Sequence, residues 1–289
     1  MQPVSQRVAG ADGLQLHLLE WSREGVPLLL VHGFGNDAHI WDDLAPLLAP
    51  HYRVLALDLR GHGDSDHDAA LRYHYDDHVR DLEAVVRALG IARMVLVGHS
   101  LGGRTALLFA GAHSAQLAGL VVVDTGPEHD ARGTSRIRME VAQRGAGGDG
   151  SFADAGEYER LLAHNYPAAP ARVLARMARS ELRVREDGRY LRKLDPRFAM
   201  QLSGAQDAAA QEAQERETSA RLWAACRSVP CPALVVRGAA SDVLGADAAE
   251  RMAGALPQGR LAVVPRAAHS VMTDNPQGFN EAVAAFALG

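Results

Sequence analysis

The most constraining feature of the chain is a rhythm. Short apolar runs of strand length alternate with longer amphipathic segments: LQLHLLEW, PLLLVH, YRVLALD, RMVLVGH, LAGLVVVD, PALVVRG and RLAVVP are the runs. Such alternation predicts a mostly parallel, doubly wound α/β sheet with helices covering both faces. Between the runs, His39 to Leu48 and Tyr75 to Leu89 carry helical patterns, the second with Val79, Leu82, Val85, Val86 and Leu89 at spacings of three and four. The first run is expected to pair antiparallel at the sheet edge.

The rhythm breaks after VVVDTGP, at Pro127, and resumes at Pro232. Between them no run reads as a strand. Helical stretches cover Ala169 to Arg185 and Ala208 to Trp223, and a glycine-rich joint, RGAGGDG, spans 144–150. The expected organisation is therefore a sheet domain made of residues 1–126 and 226–289, interrupted by a helical cap over 127–225. The charges of the insertion are balanced in sign, as on a solvated helical face.

With 289 residues, 47% of them apolar and 22% charged, the chain can bury a sizeable core, and its net charge of −5 gives no footprint for nucleic acid. The first residues lack a basic stretch followed by an apolar one, and the apolar runs are too short to span a bilayer. A soluble, cytoplasmic protein with no membrane partner is the expectation. Two cysteines, Cys226 and Cys231, are too few for a disulfide framework or a zinc site and read as small buried apolar side chains.

The chemistry centres on GHSLGG. RMVLVG is a strand and LGGRTALLFAGAH a helix, so Ser100 sits on the turn between them, with Gly98 and Gly102 where larger side chains would collide. The turn presents a hydroxyl at a helix N-terminus, where developing negative charge is favoured. A serine there could merely cap the helix. To attack, it needs a base, and the base needs an orienting acid. Both follow downstream, at the C-terminal ends of later strands: Asp242 in RGAASDVLG and His269 in VPRAAHSV. Asp124, ending LAGLVVVD, is the alternative acid; Asp242 is preferred because an acid at the Asp124 junction more often caps the following turn. HGFG at 32–35 ends another strand and offers the Phe34 amide, beside that of Leu101, as oxyanion donors. In DLRGHGDSD, Asp58, Arg60 and His62 are expected to anchor a turn through the backbone. His99 is expected to pack or hydrogen-bond under the sheet. His39, Trp41 and Trp223 are candidate substrate contacts, with Met177 and Met200 as further apolar lining. No spacing suggests a metal, and the elbow lacks the lysine of a phosphate loop and the full dinucleotide pattern, so no cofactor is expected.

Taken together, PLLLVHGFG, DLRGHGDS, GHSLGG, SDVLG and AAHSV resemble, in order and spacing, the α/β-hydrolase superfamily, from about residue 12 to the C-terminus except over the insertion. The resemblance implies Ser100 as nucleophile, His269 as base, Asp242 as orienting acid, Phe34 and Leu101 as the oxyanion hole, and a cap after the sixth strand. Relatives that act on haloalkanes or epoxides carry aspartate as nucleophile, which Ser100 argues against. The implied default is hydrolysis of a small-molecule carboxylic ester, or of a lactone or thioester, through an acyl-enzyme. A carbon-carbon bond hydrolase of meta-cleavage type and a non-catalytic binding protein are the alternatives. Oligomeric state is not legible.

Overall fold

The computed structural model describes every residue except 1, 131, 134, 138–148 and 199–207, and the side chain of Ala208. Met200 and residues 144–148 of the glycine-rich joint thus lie outside the described residues.

Eight strands form one sheet in the order β1-β2-β4-β3-β5-β6-β9-β10. They are β1 (Val4–Ala9), β2 (Gln15–Glu20), β3 (Val26–Val31), β4 (Tyr52–Leu57), β5 (Met94–His99), β6 (Leu117–Val123), β9 (Ala233–Gly238) and β10 (Gly259–Val264). From β4 to β10 every neighbouring pair is parallel. The run LQLHLLEW is β2 and is antiparallel to its neighbours, but it is not the edge strand. β1, an unexpected strand, pairs outside it. In β1 only Val8 is buried, so this strand carries too little apolar signal to be read from sequence.

Side chains of a strand alternate between the two faces of the sheet. Leu29, Val31, Met94 and Leu96 therefore join one core cluster, and Leu28, Leu30, Val95 and Val97 the other. Helices α2 (Tyr75–Ala88) and α3 (Leu101–Ala112) cover the first cluster with Leu82, Val85, Val86, Leu107 and Phe109. The second is covered by α1 (Ala45–Leu48) and the C-terminal helix Pro276–Leu288, through Leu48, Phe279 and Val283. The expected helix over His39 to Leu48 is in fact a 3₁₀ turn, Ala38–Trp41, followed by the single turn of α1. Trp41 is fully buried 6.0 Å from the Phe279 ring, so it is core rather than a substrate contact.

Between β6 and β9 the chain leaves the sheet. Helices α4 (Ala155–Asn165) and α5 (Ala171–Ser180) close a small core of their own around Tyr158, Leu162, Val173, Leu174 and Met177. Met177 is thereby committed to packing. The helical pattern expected as far as Arg185 stops at Ser180. A two-stranded hairpin follows, β7 (Leu182–Val184) with β8 (Tyr190–Arg192), where no strand was expected. Three residues per strand are below what periodicity can reveal. Helix α6 runs Ala208–Ser228 and returns to the sheet, inserting Leu222, Ala225 and Cys226 into the first core cluster. Trp223 packs on that same cluster. Cys226 and Cys231 are both free and buried. No helix among the described residues is long and apolar enough to cross a membrane.

Candidate active site

Ser100 follows the last residue of β5 and precedes the first of α3, with φ 51° and ψ −114°. A non-glycine residue in that region is strained, by roughly 1–3 kcal/mol, and persists only where its surroundings impose it. Close packing of main chain imposes it here. A Cβ on Gly98 would stand 2.3 Å from the carbonyl oxygen of Gly102, and one on Gly102 would stand 2.5 Å from the carbonyl oxygens of Val31 and His32. The Ser100 N–H donates to the carbonyl of Val123, at the end of β6, at 3.1 Å.

Three loops from separate strand ends converge on this serine. His269 comes from the loop after β10, and its Nε2 lies 2.9 Å from Ser100 Oγ. Its Nδ1 lies 2.9 Å from Oδ2 of Asp124, at the end of β6. With Nδ1–H given to the carboxylate, Nε2 is left to accept the serine proton. Asp124 is wholly buried and accepts two further hydrogen bonds, from Ser241 Oγ at 2.6 Å and the Gly238 N–H at 2.8 Å. The preference for Asp242 is thus corrected. Asp242 turns from His269 to Arg136, which binds both its oxygens at 2.6 and 2.8 Å, and this hydrogen-bonded cation holds its carboxyl below the usual range. Both ring nitrogens of His269 are engaged, so the cluster is arranged for proton transfer rather than as an open metal ligand set.

The HGFG loop reaches the same spot. A Cβ on Gly33 would lie 3.0 Å from Ser100 Cβ and 2.7 Å from His99 Nδ1, so only glycine lets this strand end approach the serine. His32 accepts the Leu59 N–H at Nε2, 3.0 Å away, which leaves Nδ1–H to donate to the Gly33 carbonyl at 2.7 Å. Burial holds this ring's pKa below the ordinary value and keeps it neutral, despite the nearby Asp58 carboxylate. The Asn36 N–H, 3.3 Å away, reaches the same Gly33 oxygen. Because the peptide is trans, pinning the Gly33 carbonyl sends the Phe34 N–H the opposite way. The Leu101 N–H opens α3 and is one of the amides a helix leaves without an intrahelical acceptor. His99 hydrogen-bonds, one of the two expected roles: its Nε2–H donates to the carbonyl of His269 at 3.0 Å and so tethers the loop that carries the ring.

DLRGHGDSD braces the floor. Asp58 accepts the Ala38 and Asp64 N–H groups at 2.6 and 2.9 Å and also binds His17. Arg60 donates to the Arg72 carbonyl and grips Asp81 at 2.6 and 2.8 Å. His62 Nδ1 contacts the Arg60 carbonyl, and its ring stands edge-on to Phe34. Of the three expected substrate contacts, His39 engages Asp42 at 3.1 Å, Trp41 belongs to one core cluster, and half-buried Trp223 packs against the other. None of the three has a hydrogen bond or ring contact to Ser100 or His269 among the described residues.

Asp37 follows the HGFG loop and caps the turn Ala38–Trp41 by accepting the His39 N–H at 3.0 Å. Burial pushes its carboxyl up to about 8, and the Asp58 and Glu181 carboxylates add to the effect. An unfolded aspartate ionises near pH 3.8 while the folded one keeps its proton, so folding is progressively penalised as pH rises from about 4 to about 8. Asp37→Asn keeps the cap and removes the titration. Its melting temperature is expected to fall less than that of the parent between pH 5 and pH 8, as read by thermal melts. Parallel falls would exclude Asp37 as the cause.

A family model described as the alpha/beta hydrolase fold matches residues 26–276. The chain is 29% identical over 253 residues to 2-(acetamidomethylene)succinate hydrolase of Mesorhizobium japonicum, covering 88% of this chain and 84% of that protein. It is 28% identical over 281 residues to pimeloyl-[acyl-carrier protein] methyl ester esterase of Pectobacterium carotovorum, covering 93% and 98%. Among solved structures, that of E-2-(acetamidomethylene)succinate hydrolase superposes with a TM-score of 0.83 at 27% identity, covering 99% of this chain and 100% of the other.

Proposed function

The chain belongs to the α/β-hydrolase fold family, and from that premise we propose that it is a serine hydrolase cleaving a small-molecule carboxylic ester through an acyl-enzyme. The observation that carries this reading is the unbroken line from Ser100 Oγ through His269 to Asp124, each step 2.9 Å. Ser100 attacks the acyl carbon as His269 Nε2 takes its proton, and buried Asp124 stabilises the imidazolium. The new oxyanion is met by the Phe34 and Leu101 amides, where one such donor is worth about 10²- to 10³-fold in rate. His269 returns the proton to the leaving alcohol. It then activates a water that releases the acid. A lactone or thioester would follow the same course, and the similarity to a methyl ester esterase supports an ester. Residues 127–225 serve as the cap that shelters the acyl group from bulk water.

A fluorophosphonate provides the test. It is expected to abolish hydrolysis of a short-chain nitrophenyl ester at one equivalent per chain, with its mass found on the peptide containing Ser100. An enzyme that hydrolyses the ester but is neither labelled nor inhibited would overturn the assignment.

A further inference from the structure

We propose that Arg192 is a positioning residue for the oxyanion loop, its guanidinium fixing two peptide planes that aim and polarise the Phe34 N–H; the proposal rests on the serine-hydrolase reading above. Arg192 is the last residue of β8, more than 150 positions from the loop it serves, and its Nη2 donates to the carbonyl of Gly35 at 2.8 Å. In a trans peptide the carbonyl and the following N–H point opposite ways. Holding the Gly35 oxygen therefore turns the Asn36 N–H back toward the Gly33 oxygen, 3.3 Å away. The Gly33 oxygen shares its peptide plane with the Phe34 N–H. The result is a line of donors and acceptors running from the guanidinium through the 35–36 and 33–34 peptides to the amide beside Ser100. A cation at the head of such a chain polarises every bond in it, which strengthens donation at the far end.

The guanidinium is itself held. Its side chain is 14% exposed, its carbon sits 5.7 Å from the centre of the Tyr158 ring, and the Glu181 carboxylate lies 3.8 Å away and accepts the Tyr158 hydroxyl. Tyr158 belongs to the small core between α4 and α5, so Arg192 is anchored to a packed unit. The residues after it are seated on the loop floor. Lys193 pairs with Asp64 at 2.7 Å, Asp195 accepts the Tyr73 hydroxyl at 2.5 Å, and the Asp195 N–H donates to the Gly61 carbonyl at 2.8 Å. Phe198 stacks on Tyr73 at 4.3 Å and stands edge-on to Phe34 at 5.1 Å. The segment is thus a strap whose one charged donor to the HGFG loop is Arg192, among the described residues.

Arg192→Met keeps the aliphatic stem and removes the donors. It is expected to lower kcat for a short-chain nitrophenyl ester about tenfold or more, a loss in keeping with a displaced rather than deleted oxyanion donor, with KM little changed. Affinity for a trifluoromethyl ketone, which adds to the serine as an oxyanion, should fall by the same factor. Affinity for the analogous planar methyl ketone should hold. Arg192→Lys, which keeps the charge, should recover part of both losses. A lowered melting temperature with parental kcat, or a raised KM at unchanged kcat, would overturn the proposal by making Arg192 a packing or substrate-binding residue. Should the methionine variant fail to fold, the lysine variant is read by the same pair of measurements: a matched loss of kcat and ketone affinity supports the role, and parental values of both refute it. A parent protein inert to both ester and fluorophosphonate would instead sink the serine-hydrolase reading.

Discussion

Replacing Ser100 by alanine is expected to lower kcat for an activated ester by on the order of 10⁶-fold, with the fold and melting temperature kept or slightly improved. The size follows from how the three groups act. In the proposed mechanism, without the hydroxyl there is no acyl-enzyme, and Nε2 of His269 has nothing to activate. For the same reason Ser100→Ala/His269→Ala is expected to be no worse than Ser100→Ala alone, because groups that work as one unit are lost together. What remains in either variant is the oxyanion loop, which still polarises a carbonyl that water attacks. The stability side has its own cause: at φ 51° alanine carries the same backbone strain as serine, and the only bond lost is that of a half-exposed hydroxyl to His269. Steady-state rates with a fluorogenic ester, corrected for trace parental enzyme by fluorophosphonate pretreatment, decide the matter. Retention of even a hundredth of the parental kcat after that correction would remove Ser100 from the reaction.

The parts of the site visible in the sequence are those whose geometry is written within a few residues. The elbow is one: a Cβ on Gly98 or Gly102 would stand only 2.3 or 2.5 Å from main-chain oxygens packed against the turn, so the constraint appears as a five-residue pattern. The parallel strands are another, since β3, β5, β6 and β9 are apolar nearly throughout. The orienting acid was not legible, because it depends on which of two carboxylates another segment removes. β6 and β9 are adjacent, with Val123 level with Val236, so the residues following each lie at one sheet edge and both Asp124 and Asp242 are within reach of it. Arg136, 106 residues before Asp242 in the chain and in a segment with no strand rhythm, makes the choice by binding Asp242. Ser241 seals it with its bond to Asp124. The pocket was the least legible part. Trp41 looks like a contact because it follows HGFGND, yet the same proximity sends it under the loop and into the core against Phe279.

That choice between carboxylates sets the second large effect: Asp124→Asn is expected to lower kcat by about 10³- to 10⁴-fold, whereas Asp242→Asn should stay within about threefold of the parent. The reason lies in the proton inventory around His269. Asp124 accepts from Nδ1 at 2.9 Å, from Ser241 Oγ at 2.6 Å and from the Gly238 N–H at 2.8 Å, so every bond it makes needs an acceptor. An amide in its place keeps one acceptor oxygen and supplies a donor. Gly238 holds that oxygen on the Oδ1 side, and the amide group then takes the Oδ2 side, facing both Ser241 Oγ and Nδ1. The ring responds by carrying its proton on Nε2, where it can no longer take one from Ser100. KM should change little, since Asp124 is wholly buried behind the ring. Asp242 has no such leverage: both its oxygens are spent on Arg136 and its side chain is 33% exposed, so removing its charge alters an ion pair of modest worth in water. The two variants compared on one ester, with the Nδ1 and Nε2 protons of His269 followed by NMR, separate tautomer from charge. A collapse of kcat in Asp242→Asn together with near-parental turnover in Asp124→Asn would mean that the loops rearrange on binding substrate and exchange the two acids.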